Sequence, residues 1–274
     1  MIIGEDYMNI KEYYKSAATT SINISIYAAL LSVIVFVILS RFLHTVYVWE
    51  ATVPFMLLSC LFYIQFHVNK KRYQEMPDDL EVSDKHLFEH RNVLMTFMPA
   101  PTMRIVLFNP RGQCIGEIKD KYAAWYKWLI PNELLIFLPQ SYYVLDVRGK
   151  KLGSFKISGF LGRNMTVWNS AGERIAAYEE NLKKSLFRYN GVVYDDKRSV
   201  RMKVNVSGYL RSFEISSSEG RKLVSFQKGY MPLEWSNRFK ELNTPILTFT
   251  EETVKDDMIA IYALCAKLLS YSKN

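Results

Sequence analysis

Apolar residues follow three different patterns along the chain. Residues 16–40 carry no charge, and their centre reads ISIYAALLSVIVFVIL. A second uncharged run covers residues 51–69, ATVPFMLLSCLFYIQFHVN. About 20 apolar residues in a helix cross a bilayer, so the two runs predict a transmembrane helical hairpin with spans over about 20–40 and 51–69. A cleaved signal peptide fits less well, because the first run starts late, exceeds an h-region and is followed by a second span. A buried helical hairpin of a soluble protein is the other alternative.

Beyond residue 78 the pattern changes to short alternating runs separated by turn residues. One phrase recurs: Asn109-Pro-Arg-Gly112, Asp146-Val-Arg-Gly149, Asn169-Ser-Ala-Gly172 and Ser217-Ser-Glu-Gly220, each followed by an apolar returning run. The first residue of each phrase can bond the backbone ahead of it. The glycine suits the left-handed position of a type I turn with a G1 bulge. Each phrase therefore predicts a β-hairpin. The glycines are 37, 23 and 48 residues apart, too unequal for a regular solenoid or propeller. Asn190-Gly191 predicts a fifth hairpin. Val200, Met202, Val204 and Val206 alternate with Arg201, Lys203 and Asn205, as in a strand with a basic outer face. Many short strands with frequent turns point to a sandwich or barrel.

The last pattern is helical. Thr250, Thr253, Asp256 and Asp257 suit a helix start. The nine residues from Met258 to Ala266 are apolar on every side and then meet Lys267, too short a run to cross a membrane. A helix without a polar face must be surrounded, and a closed barrel surrounds one. A helix packed on one sheet face is the alternative. The predicted class is membrane-anchored α+β: an N-terminal transmembrane helical hairpin, then a closed antiparallel β-barrel with a central hydrophobic C-terminal helix over about 254–271.

Repeated D-x-x-G hairpins, an antiparallel barrel and a final hydrophobic helix resemble the tubby C-terminal-like superfamily. That group includes tubby proteins, LURP-one-related proteins and phospholipid scramblases. The stretches from Tyr143 to Gly153 and from Asp257 to Cys265 carry most of the likeness, which covers roughly 78–274. The resemblance implies a barrel threaded by its last helix, and phospholipid as a partner class. The scramblases carry a single span at the other end of the chain, whereas here a hairpin comes first.

Charge sets the orientation. Lys11 and Lys15 precede the first run, and Lys70, Lys71 and Arg72 follow the second, while the intervening loop holds Arg41 and Glu50 beside Tyr47 and Trp49. By the positive-inside rule both termini are cytoplasmic. The expected organisation is a short cytoplasmic N-terminus (1–15), a hairpin (16–69), a basic linker (70–77) and a cytosolic barrel (78–274). The chain has 35 Lys and Arg against 27 Asp and Glu. Residues 1–69 hold three and four of these, so the remainder carries a net +9. Each basic residue near an anionic leaflet contributes on the order of 1 kcal/mol.

Candidate chemistry is sparse. His86-Leu-Phe-Glu-His90 matches an inverted zinc-peptidase string, but that chemistry needs a helix and the neighbouring sequence suggests strand. The pairs Asp78-Asp79, Glu179-Glu180, Asp195-Asp196 and Asp256-Asp257 are expected to be solvated or capping. Cys60, Cys114 and Cys265 are too few and scattered for a disulfide framework or a zinc cluster. No phosphate-binding glycine loop or nucleophile elbow is present. The expectation is a non-enzymatic module without cofactor or metal. Its candidate headgroup contacts are Lys119, Lys121, Trp125, Lys127 and Trp128, where lysines interleave with aromatics, and Lys183, Lys184, Arg188, Arg201 and Lys203. Anionic membrane phospholipids are the expected partners, and nucleic acid is disfavoured by the membrane tether. A membrane-tethered protein-interaction or immunity-type scaffold is the alternative, and scramblase-like lipid translocation ranks third.

Overall fold

The structure is a computed structural model that describes residues 9–42, 44–77, 86–98, 100, 102–122, 140–158, 164–180, 188–207, 211–241 and 243–271. The chain divides into two compact units, Ile10–Asp79 and a second made of Met1–Asn9 with Leu80–Asn274.

The first unit is a helical hairpin of α1 (Ile10–Leu39) and α2 (Thr45–Gln74). Both helices run beyond their uncharged cores. Lys11, Glu12 and Lys15 lie on the first turns of α1, and Lys70, Lys71 and Arg72 on the last turns of α2. No glycine or proline interrupts the chain at these places, so the helix continues where the sequence suggested a short tail and a basic linker. The connection shrinks accordingly to residues 40–44. Small residues of α1, among them Ala17, Ser21, Ser25, Ala28 and Ser32, are buried, which lets the two backbones approach. Ser25 and Ser59 clasp each other: each hydroxyl donates to the other's carbonyl at 2.9 Å.

Among the described residues of the second unit, twelve antiparallel strands close into a barrel in ring order β1-β12-β11-β10-β9-β8-β7-β6-β5-β4-β3-β2. They are β1 (Asn92–Phe97), β2 (Arg104–Phe108), β3 (Cys114–Asp120), β4 (Gln140–Asp146), β5 (Lys151–Ser158), β6 (Asn164–Asn169), β7 (Arg174–Glu180), β8 (Arg188–Tyr194), β9 (Val200–Ser207), β10 (Ser212–Ser217), β11 (Lys222–Gln227) and β12 (Ile246–Phe249). Outside the barrel a short helix, α3, spans Leu233–Ser236. The last helix, α4, spans Lys255–Tyr271.

The four predicted turns share one conformation. Gly112, Gly149, Gly172 and Gly220 have φ of 78°, 73°, 86° and 85°. The side chains of Asn109, Asp146, Asn169 and Ser217 each accept a bond from the backbone N–H four residues ahead. Each turn is accompanied by a register shift in its strand pair. The fifth hairpin is elsewhere than Asn190-Gly191 predicts. Those two residues lie inside β8, paired with Asn205 and Val204 of β9. The turn falls at Asp195–Ser199, where Arg198 takes the left-handed position at φ 62° and Asp195 accepts from Ser199 N–H at 2.7 Å. Gly191 instead makes room for a neighbour, since a Cβ there would sit 2.2–2.4 Å from the Tyr178 ring. Because a non-glycine residue in the left-handed conformation is strained, Arg198→Gly is expected to raise unfolding stability by about 1 kcal/mol, read from the midpoint of chemical denaturation. An unchanged or lower midpoint would contradict this account of the turn.

Side chains alone fill a barrel of about eight strands, and twelve leave a lumen for a helix about 10 Å across. That helix is α4. From Met258 to Leu269 each residue is buried, and the apolar ones form one core with inward residues such as Val144, Phe155, Val167, Val193, Val204 and Phe226. All five tight turns lie at the barrel end where β12 finishes and α4 enters, as the strand directions require. There Thr253 donates to the Leu223 carbonyl at 2.9 Å, and Arg201 pairs with Asp257. A Cβ on Gly153 of β5 would meet Ile259 Cγ2 at 2.7 Å and the Trp168 carbonyl at 2.9 Å, so the wall presses directly on the helix.

Candidate functional surface

The expected headgroup residues do not form one face. β3 and β9 lie six strands apart in the closed ring of twelve, so Lys119 and Arg201 or Lys203 occupy opposite walls. Lys203 is exposed on β9. Arg201 is committed inward, since its Nε lies 2.5 Å from Asp257 Oδ1 and its Nη1 donates to the Ile175 carbonyl at 3.0 Å. Burial raises the Asp257 pKa, and the Arg201 guanidinium opposes that shift. Arg188 opens β8. Trp125, Lys127, Trp128, Lys183 and Lys184 lie outside the described residues.

Lys119 and Lys121 belong to a wider wall built by register. Lys119 is level with Tyr143, Tyr143 with Ser154, and Ser154 with Trp168. One step along, Lys121 N–H bonds the Ser141 carbonyl, Ser141 is level with Lys156, and Lys156 with Thr166. These residues stand on the outer faces of β3–β6, because their neighbours Ile118, Tyr142, Val144, Phe155 and Val167 point into the core. Tyr143 is held between two ammonium groups, with Lys151 Nζ 5.5 Å and Lys121 Nζ 5.8 Å from its ring centroid. Lys121 also lies over the Tyr122 ring at 5.0 Å. Its pKa is raised, first by a hydrogen bond to Tyr122 and then by the charge interactions with Tyr122 and Tyr143. The outward carboxylate of β3, Glu117, is paired with Arg104 at 2.6 Å, and the Asp120 side chain is buried. Four exposed lysines (119, 121, 151 and 156) thus share a wall with half-buried Tyr143 and Trp168. The lysine–aromatic interleaving read around residues 119–128 signalled part of this surface. Tyr143, Lys151, Lys156 and Trp168 join it through strand pairing, which no local motif announces.

The hairpin has its own chemistry. At one end Lys11 lies over Tyr73, Lys70 over Phe66 and Arg72 over Tyr14, at 5.3–5.8 Å from the ring centroids. At the other end Phe36 packs on Trp49 at 5.4 Å. The rise from Tyr14 to Phe36, and from Trp49 to Tyr73, is roughly 33–36 Å at 1.5 Å per residue. That matches a bilayer's hydrocarbon core plus the inner part of its interfaces. α1 and α2 are both long and apolar enough to cross a membrane.

His86 and His90 flank a short 3-10 turn, Leu87–Glu89, rather than sharing a strand. Among the described residues no cluster of three His, Cys, Asp or Glu side chains is placed to hold a metal. Cys114 and Cys265 are buried; burial pushes the Cys114 thiol up to about 12 and raises Cys265 as well. Neither is ionised near neutral pH.

No family model and no curated protein matches the chain. A solved structure of a protein from Arabidopsis thaliana is similar to it at 10% identity and a TM-score of 0.40, over 66% of this chain and 88% of that one.

Proposed function

We propose that this chain is a two-span membrane protein whose barrel, of the tubby-like kind, is a non-enzymatic module for anionic lipid headgroups at the cytoplasmic leaflet. The observation that carries the reading is the outer wall of β3–β6, where Lys119, Lys121, Lys151 and Lys156 surround Tyr143 and, among the described residues, the neighbouring Glu117 is already paired. Ammonium groups attract phosphate and carboxylate headgroups, and Tyr and Trp favour the interfacial region. Cation–aromatic stacking holds Lys121 and Lys151 before any ligand arrives, which lowers the ordering cost of binding. Covalent attachment to the hairpin keeps the barrel at high effective concentration near a leaflet. The lysines and arginine gathered at the Tyr14–Tyr73 end of the hairpin support cytoplasmic termini.

The test uses the full chain in nanodiscs of phosphatidylcholine, with or without phosphatidylserine. Amine acetylation is followed at Lys119, Lys121 and Lys151, with Lys203 on the opposite wall as the internal reference. Phosphatidylserine is expected to slow acetylation of the wall lysines relative to Lys203. At about 1 kcal/mol per lysine, neutralising those three to Gln should weaken the interaction on the order of 100-fold. Equal acetylation rates in the two lipid compositions would count decisively against headgroup contact. A stoichiometric protein partner retained in both would favour the scaffold instead.

A further inference from the structure

The outward face of α1 carries a polar stripe in the wrong place for a helix meant only to touch lipid. Ser25, Ala28 and Ser32 face α2. At 100° per residue Asn23 points to the opposite side, with Ser16, Thr19 and Tyr27 close to the same line. Thr19 and Asn23 are exposed, and Tyr27 is 70% exposed. Thr19 satisfies its hydroxyl by donating to the Lys15 carbonyl one turn back. Among the described residues nothing bonds the Asn23 carboxamide.

Depth makes this costly. Asn23 lies nine residues past Tyr14 and thirteen before Phe36, the aromatics that mark the two ends of the hairpin. That is roughly 13 Å from one belt and 20 Å from the other, close to the bilayer midplane. Transfer of an unbonded amide into hydrocarbon is unfavourable, and no water is available there to satisfy it. Nor is there a charge on the stripe that an ionic partner would need to neutralise. A carboxamide is donor and acceptor at once, so its simplest complete partner is another carboxamide at the same depth. Only a second copy of this helix provides that by symmetry, since a two-fold axis along the bilayer normal places residue 23 opposite residue 23.

We propose that the Ser16–Thr19–Asn23–Tyr27 face of α1 is a helix-pairing surface whose occupant is a second copy of this chain, joined by reciprocal Asn23–Asn23 hydrogen bonds near the midplane. The inference rests on the membrane-spanning reading of the hairpin, and goes beyond it. The exposed rows of α1 past Leu30 are apolar, so the polar contact sets register while Leu30 and Ile34 supply packing.

The experiment uses the full chain in its native membrane with Cys60→Ser and Thr19→Cys, so that, with Cys114 and Cys265 buried, one exposed cysteine reports the stripe. Alkaline extraction first asks whether the chain is integral; release would refute the spanning reading itself and this inference with it. For a retained chain, mild oxidation is expected to give a covalent band at twice the chain mass. Asn23→Leu, which removes the amide but suits lipid, should reduce that band at least fivefold with unchanged membrane insertion, and Asn23→Gln should restore most of it. A retained chain with no dimer band, a band at another mass, or a dimer indifferent to Asn23→Leu overturns the proposal while leaving the spans intact.

Discussion

Gly153→Ala is expected to destabilise the barrel by about 3 kcal/mol, the upper part of the range for forcing extra atoms into a packed core. Its added methyl meets Ile259 Cγ2 at 2.7 Å and the Trp168 carbonyl at 2.9 Å. Neither can yield cheaply. Ile259 is β-branched and lies on the central helix, and the carbonyl is backbone of the neighbouring strand in the β5–β6 ladder. For a domain of this size the melting temperature should fall by roughly 6–12 °C. Ile259→Ala alone also destabilises, through a cavity. In the double variant the two losses should sum to less than their separate values, because the new methyl occupies part of the vacated space. Strict additivity would mean that β5 and α4 do not touch, and would remove the helix from the lumen. Calorimetry on the four proteins of this cycle decides the matter.

That cycle tests the feature most legible from sequence. The run Met258–Ala266 has no polar side, and a helix of that kind has few homes outside a ring of strands. The tight turns were legible for a similar local reason. A short polar side chain bonds the backbone ahead of it, and glycine takes a φ that other residues resist. The same logic explains the misplaced fifth hairpin. Asp195 builds that turn, but Arg198 stands where the other turns have glycine, so the pattern is concealed. Asn190-Gly191 imitates a turn because Gly191 must leave room for the Tyr178 ring, a constraint set by a residue across the strand pair. The candidate surface was legible only in part, because tertiary pairing is not written locally. Lys119 and Lys121 stand out as cations, whereas Tyr143 and Lys156 join them through the β3–β4–β5 register.

Lys267 shows where polarity alone misleads. It looks like the polar terminator of an apolar helix, and Glu179-Glu180 looks like a solvated acidic pair. Instead Lys267 is completely buried, its Nζ 3.5 Å from Glu180 Oε2 and 4.5 Å from the centroid of the Tyr178 ring. Glu180 closes β7 at the barrel end opposite the tight turns, so this pair holds the far end of α4 as Arg201–Asp257 holds the near one. Removing one member of a buried pair strands the other, at a cost of about 3–5 kcal/mol. Glu180→Gln is therefore expected to unfold at markedly lower denaturant than Lys267→Met, which removes the charge that is hardest to bury. The two orders of effect separate an ion pair from mere packing.

The pH dependence of this pair has an unusual sign. Burial lowers the Lys267 pKa from 10.5 to about 8, against the opposing pull of Glu180. Below pH 8 both folded and unfolded chains hold this proton, so the burial penalty is at its full value. Between about 8 and 10.5 the folded chain has released the proton while the unfolded chain still holds it, and stability rises with pH by an amount on the order of 3 kcal/mol across that window. Other groups titrate there too, so the quantity to measure is the stability of the native chain minus that of Lys267→Met at each pH, from urea denaturation. That difference is expected to move in favour of the native chain as the pH rises from 8 to 10. A difference that stays flat, or moves against the native chain, would show that Lys267 keeps its proton in the folded barrel and that Glu180 outweighs the loss of water around it.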